Sequence, residues 1–194
     1  MNFLAHAYLS FHQPDLMTGN MIGDFVKGRQ LALYPQPIQE GIRLHRAIDT
    51  FTDNHPATFA ARAIFRPQTR LYGAVFTDIV MDHFLANDPR HFTDTSLQAF
   101  AQEVYATIGT PPVALPSSFT HMLGYMSSQN WLYNYRFRNG MEQTFRGIVR
   151  RAKYINFEAS VPLSVFDTHY NALQQCYDEF FPALYTFVQK YTAA

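Results

Sequence analysis

The stretch from Leu71 to Asn87 reads as a helix that is apolar on nearly every side, with Val75, Phe76, Ile79, Val80, Met81, Phe84 and Leu85 spread around the wheel. A helix of that kind has no solvent face and must lie inside a jacket of other helices. The rest of the chain can supply the jacket. Apolar residues recur at i, i+3 and i+4 throughout, and no alternating run bounded by hairpin turns appears. The reading is therefore all-α: a single-domain helical bundle over residues 1–194, long enough to bury one sizeable core.

Helices are expected near 2–12, 15–30, 38–54, 57–65, 68–87, 95–108, 117–136, 139–153 and 162–191. Pro14, Pro35, Pro37, Pro56 and Pro89 mark breaks between them, as does the loop from Gly109 to Pro116. Thr95 with Gln98 reads as a capping box, and Pro162 suits a first helical turn. Pro182 should bend or break the last helix, because it lacks the amide for one ladder bond.

Composition excludes several classes. Lys plus Arg number 15 and Asp plus Glu 15, so the chain has no global basic field of the kind that binds nucleic acid. The single cysteine, Cys176, rules out an intramolecular disulfide and a four-thiolate zinc site, and its helical apolar setting gives it a structural reading. The first residues, MNFLAHAYLSFH, lack the cationic start of a signal peptide. No stretch reaches the ~20 apolar residues of a membrane span, so the expected location is the cytoplasm.

Against this apolar background, the acids and imidazoles need partners. Asp78 and Asp82 lie one turn apart on the all-apolar helix, with His83 beside the second. A carboxylate taken out of water costs several kcal/mol unless it is paired or binds a cation, and one divalent ion can serve several at once. His45 and Asp49, four residues apart, share a helix face and can ligate one ion or bond each other. Asp24 sits between Ile22 and Phe25 among Gly19, Gly23 and Gly28, which leave room for close approach. His6 is surrounded by apolar residues and, taken alone, reads more simply as a satisfied core histidine. Together these residues offer nitrogen and oxygen donors without thiolate, a set suited to manganese, iron, zinc or magnesium.

Arginines form a second constellation. Arg43, Arg46, Arg62, Arg66 and Arg70 cluster near the site helices, and Arg146, Arg150 and Arg151 follow later. Each alone is a solvated side chain, but around an acidic pocket they suggest recognition of phosphate or of an acidic partner.

The segments MNFLAHAYLS, TGNMIGDFVKG, GIRLHRAIDTFTDNHP, DHFL at 82–85, WLYNYR from Trp131 and FDTHYNAL resemble the acyl carrier protein phosphodiesterases, also called acyl carrier protein hydrolases. The likeness covers almost the whole chain. It implies removal of the 4'-phosphopantetheine arm from holo acyl carrier protein, with a preference for Mn2+, and a fold similar to the helical phosphohydrolases named for an adjacent His-Asp pair. The pattern departs from that superfamily, since His45 is followed by Arg46 and the pair at 82–83 runs Asp then His. The metal set is expected from Asp24, His45, Asp49, Asp78 and Asp82; Mg2+, Fe2+ and Zn2+ remain alternatives to Mn2+. His83 or His6 is the expected proton donor to the leaving serine, Arg46 the group steadying the phosphoryl oxygens, and Arg43, Arg62, Arg66 and Arg70 the surface for the carrier. The residues alone also allow hydrolysis of nucleotides or other small phosphoesters, or a non-catalytic carrier-binding module.

Overall fold

The helix Gly73–Asn87 (α5) sits at the centre, as its all-round apolar character requires, with Phe76, Val80, Met81 and Leu85 fully buried. Around it in chain order lie α1 (Phe3–Tyr8), α2 (Pro14–Ile22), α3 (Gln36–Asn54) and α4 (Pro56–Thr69), then α6 (Asp94–Gly109), α7 (Ser117–Ser128), α8 (Trp131–Asn134), α9 (Arg138–Arg151), α10 (Ser160–Thr168) and α11 (Tyr170–Thr192). This computed structural model describes residues 1–193, and among them no strand occurs. The all-α fold expected from apolar spacing is what the chain adopts.

Several boundaries differ from the sequence reading, each for a local reason. The first helix ends at Tyr8 rather than near residue 12, because Phe11 and His12 take left-handed backbone at φ 48° and 58°. The helix expected over 15–30 stops at Ile22 and gives way to short 3-10 turns at Gly23–Phe25 and Gly28–Leu33. The segment 117–136 is two helices, divided at Asn130, whose φ of 48° cannot continue an α-helix. The capping box at the start of α6 uses Thr93 and Ser96, not Thr95 and Gln98: Ser96 N donates to Thr93 Oγ1 at 3.1 Å, and Thr93 N donates to Ser96 Oγ at 2.8 Å. The long final segment breaks at His169, and α11 then runs on through Pro182, with Phe180, Phe181 and Leu184 buried on both sides of the proline.

The closest helix pairing, α2 against α3, positions the candidate site. A β-carbon on Gly19 would collide with the carbonyl oxygen of Ile38, and one on Gly41 with that of Leu16. Only glycines let the two backbones approach so closely. Gly28, by contrast, has open space around it.

Candidate active site

Two helices deliver imidazole and carboxylate to one place: His6 from α1, and His45 and Asp49 from adjacent turns of α3. Their ligand atoms all lie within 4.8 Å of one another. The His6 and His45 rings stack at 4.0 Å between centroids, an approach helped by Gly23, where any β-carbon would strike the His45 ring. Asp24, in the 3-10 turn after α2, adds a fourth donor, with Oδ1 3.2 Å from His45 Nε2.

Asn20 of α2 orients both rings. Its side-chain oxygen lies 2.8 Å from His6 Nδ1, and its backbone carbonyl 2.7 Å from His45 Nδ1. Nδ2 of the same amide donates to His6 O at 2.7 Å and to Ser10 Oγ at 3.1 Å, so Oδ1 must face the ring. Because both acceptors are oxygens, both Nδ1 atoms carry the proton and both Nε2 atoms turn toward Asp49. His6 Nε2 stands 3.3 Å from Asp49 Oδ1, and His45 Nε2 3.1 Å from Asp49 Oδ2. Neither contact has hydrogen-bond alignment, which leaves two buried nitrogens unpartnered and aimed at one carboxylate. That arrangement, with the far ring nitrogen held by an oxygen acceptor, is how proteins present histidine to a metal.

Electrostatics point the same way. Burial, then the nearby His45, press His6 down to about 4, so its ring is neutral near pH 7. Burial also opposes charge on His45, but Asp24 and Asp49 outweigh it and push its pKa up to about 9. Asp49 is held well below the usual carboxylate range, because His45 and His6 overcome its burial. The cluster attracts positive charge, and a cation would compete there with a proton. Exposure is graded across the group, from 3% for the His6 side chain to 37% for Asp49 and 72% for Asp24, so one side stays open to a substrate.

The other expected site residues lie elsewhere. Asp78 is at the margin, its Oδ1 3.3 Å from the Met1 ammonium, and burial raises its pKa despite that charge and Arg62. Asp82 is not brought into the group. Its Oδ2 accepts from Leu4 N at 2.7 Å and its Oδ1 from Ala5 N at 3.2 Å, so α5 caps the amino end of α1. His83 points away from the cluster, with Nδ1 2.7 Å from Tyr135 O and Nε2 3.1 Å from Tyr170 Oη, and burial lowers its pKa. Arg46 is exposed and donates from Nη2 to Val26 O at 2.9 Å, two residues beyond Asp24. Arg43 donates to Gln39 at 2.9 Å, Arg66 and Arg70 are exposed, and Arg62 turns inward to Asp53 at 2.6 Å. Asn20 was missed by sequence reasoning. The one available signal was an uncharged amide inside GNMIG, a segment that otherwise reads as buried.

Comparison with known proteins supplies the family. The family model described as acyl carrier protein phosphodiesterase matches residues 1–184. A protein of that name from Salmonella paratyphi A is 34% identical over 188 residues, covering 95% of this chain and 95% of its own. Those from Salmonella agona and Salmonella dublin, under the same name, show the same identity and coverage. No solved structure matches. The matched span contains every residue of the imidazole and carboxylate cluster, and the chain belongs to the acyl carrier protein phosphodiesterase family.

Proposed function

We propose that the protein cuts the phosphodiester between 4'-phosphopantetheine and the serine of holo acyl carrier protein, with His6, His45, Asp49 and Asp24 holding a divalent cation. Family membership supports the substrate. The metal reading rests on the two buried, unpartnered Nε2 atoms facing Asp49. Two imidazoles and two carboxylates suit Mn2+, Mg2+, Fe2+ or Zn2+, and Mn2+ is the first ion to test. When bound, such an ion supplies charge that offsets the phosphodiester anion and activates water.

The chain's own groups then have distinct tasks. Asn20 holds the Nδ1 proton of both rings, so Nε2 is the nitrogen each ring offers a cation, on His45 by displacing the proton that Asp24 and Asp49 favour there. Asp24 lies on the solvent side, where the phosphodiester can enter without crossing the core. Arg46, tethered at Val26 O, keeps a guanidinium beside that opening for a phosphoryl oxygen. His6 and His83 are both held neutral, so neither is assigned as proton donor, and solvent on the Asp24 side protonates the departing serine oxygen. Incubating the protein with holo carrier and Mn2+ and reading intact mass tests the proposal. Loss of the whole 4'-phosphopantetheine mass supports it, and an unchanged carrier mass in the presence of bound metal rejects it.

A further inference from the structure

A cavity of about 960 Å3 opens between α7, α8 and α9, and Phe25 forms one edge of it. Phe25 directly follows Asp24, and its ring packs 5.2 Å from that of Phe119 in α7, so the groove begins one residue from the open side of the cluster. Its lining includes Arg146, Arg150 and Arg151 and no Asp or Glu, whereas the cluster joins two carboxylates, Asp24 and Asp49, to its two imidazoles. Arg146 is paired with Glu142 at 2.6 Å, while Arg150 and Arg151 make no ion pair among the described residues. Tyr125, 51% exposed, and the half-buried Trp131 present aromatic surface to the same hollow.

We propose that this groove seats the pantetheine arm of the substrate, a proposal that rests on the phosphodiesterase reading above. The arm is an extended chain of two amides and apolar carbons ending in a thiol, with phosphate at the other end. A hollow near the upper end of the roughly 300–1,000 Å3 range of small-molecule sites can hold it. Tyr125, Trp131 and Phe25 cover its apolar carbons, Gln143 offers an amide to its amides, and Arg150 and Arg151 favour an anionic ligand. The phosphate then lies at the Phe25 edge, beside Asp24.

Gly147 on α9 gives a direct test, because a β-carbon there meets nothing nearer than the Arg151 guanidinium at 3.6 Å. Gly147→Trp should fill the groove, raise KM for holo carrier at least tenfold and weaken inhibition by free 4'-phosphopantetheine, with Mn2+ bound per chain unchanged. Tyr125→Ala, a truncation on the open wall, should act in the same direction and guards against misfolding of the larger variant. Wild-type KM and wild-type inhibition in both variants would overturn the groove assignment. So would competition by apo carrier that Gly147→Trp abolishes while free 4'-phosphopantetheine fails to compete, since the carrier's protein surface would then be the occupant. If the wild type leaves holo carrier intact, the phosphodiesterase reading fails. Calorimetry with free 4'-phosphopantetheine judges the groove separately, with binding in the wild type and its loss in Gly147→Trp the supporting result and no binding in the wild type the opposing one.

Discussion

Asn20 holds two imidazoles from different helices with one residue, using its side-chain oxygen for His6 and its backbone carbonyl for His45. Substitution can therefore remove one support and leave the other. Asn20→Ala should weaken Mn2+ binding by about 10–100-fold, the usual penalty for losing the partner that orients a metal-bound histidine. It should also destabilise the fold by about 1–3 kcal/mol, because His6 Nδ1–H and Ser10 lose a buried partner. Calorimetric metal titration and urea unfolding measure the two effects, and wild-type Mn2+ affinity in the variant would remove Asn20 from the site. The His45 and Asp49 pairing was legible from spacing alone, because residues four apart on a helix must share a face. Asp82 and His83 were just as visibly buried but have other partners, a helix end and two tyrosines brought in by tertiary packing, which no local pattern announces.

At the level of elements, the cluster depends on how closely α2 lies on α3. Gly41→Ala would drive a methyl into the carbonyl of Leu16, and overpacking of this kind costs about 1–3 kcal/mol. The variant should unfold at lower urea and bind Mn2+ more weakly, since Asn20 rides on the displaced helix; wild-type behaviour in both assays would show that the contact relaxes harmlessly. Asp82→Ala separates a helix cap from a metal ligand. With Leu4 N and Ala5 N left unpaired, stability should fall by about 1–3 kcal/mol while Mn2+ stoichiometry stays the same. Loss of metal with stability intact would return Asp82 to the ion. Helix α3 was readable because prolines flank its strongly periodic run, whereas the divisions at Asn130 and His169 fall where neither proline nor glycine interrupts the apolar pattern. The first helix looked longer for the same reason, since Phe11 continues its hydrophobic run into the turn.

Across the whole molecule, metal and protons should leave opposite marks on stability. An ion that binds only the folded chain adds about 2.7 kcal/mol at a hundredfold excess over Kd, which for a domain of this size raises Tm by roughly 5–10 °C. Excess Mn2+ should produce that rise in thermal unfolding, a chelator should reverse it and His45→Ala should abolish it; identical melting with Mn2+ and with chelator would refute ion binding. Far from the cluster, Asp88 accepts from Arg90 and from Tyr177 of α11, tying the last helix to the loop after α5. Burial opposes its ionisation, but Arg90 and Tyr177 outweigh that and hold its carboxyl below the ordinary range. Its stabilisation is therefore present above the unfolded value near ~3.9 and is lost as pH falls through the lower folded value. Asp88→Asn should be about 1–3 kcal/mol less stable than wild type at pH 7. In urea unfolding from pH 7 to 3 the gap should narrow toward acid, and a constant gap would exclude the carboxylate's charge as its source.

The cap that Asp82 places on α1 also bears on the order in which the chain acquires its parts. A six-residue helix has no stability of its own in water, and this one is anchored by a carboxylate 78 residues further along the chain. The hydrogen bonds that hold the start of this helix form only once α5 has docked, whereas Asn20 can meet His6 as soon as α2 is made. During synthesis the emerging chain must therefore extend through α2, α3 and α4 before the carboxylate that caps α1 exists.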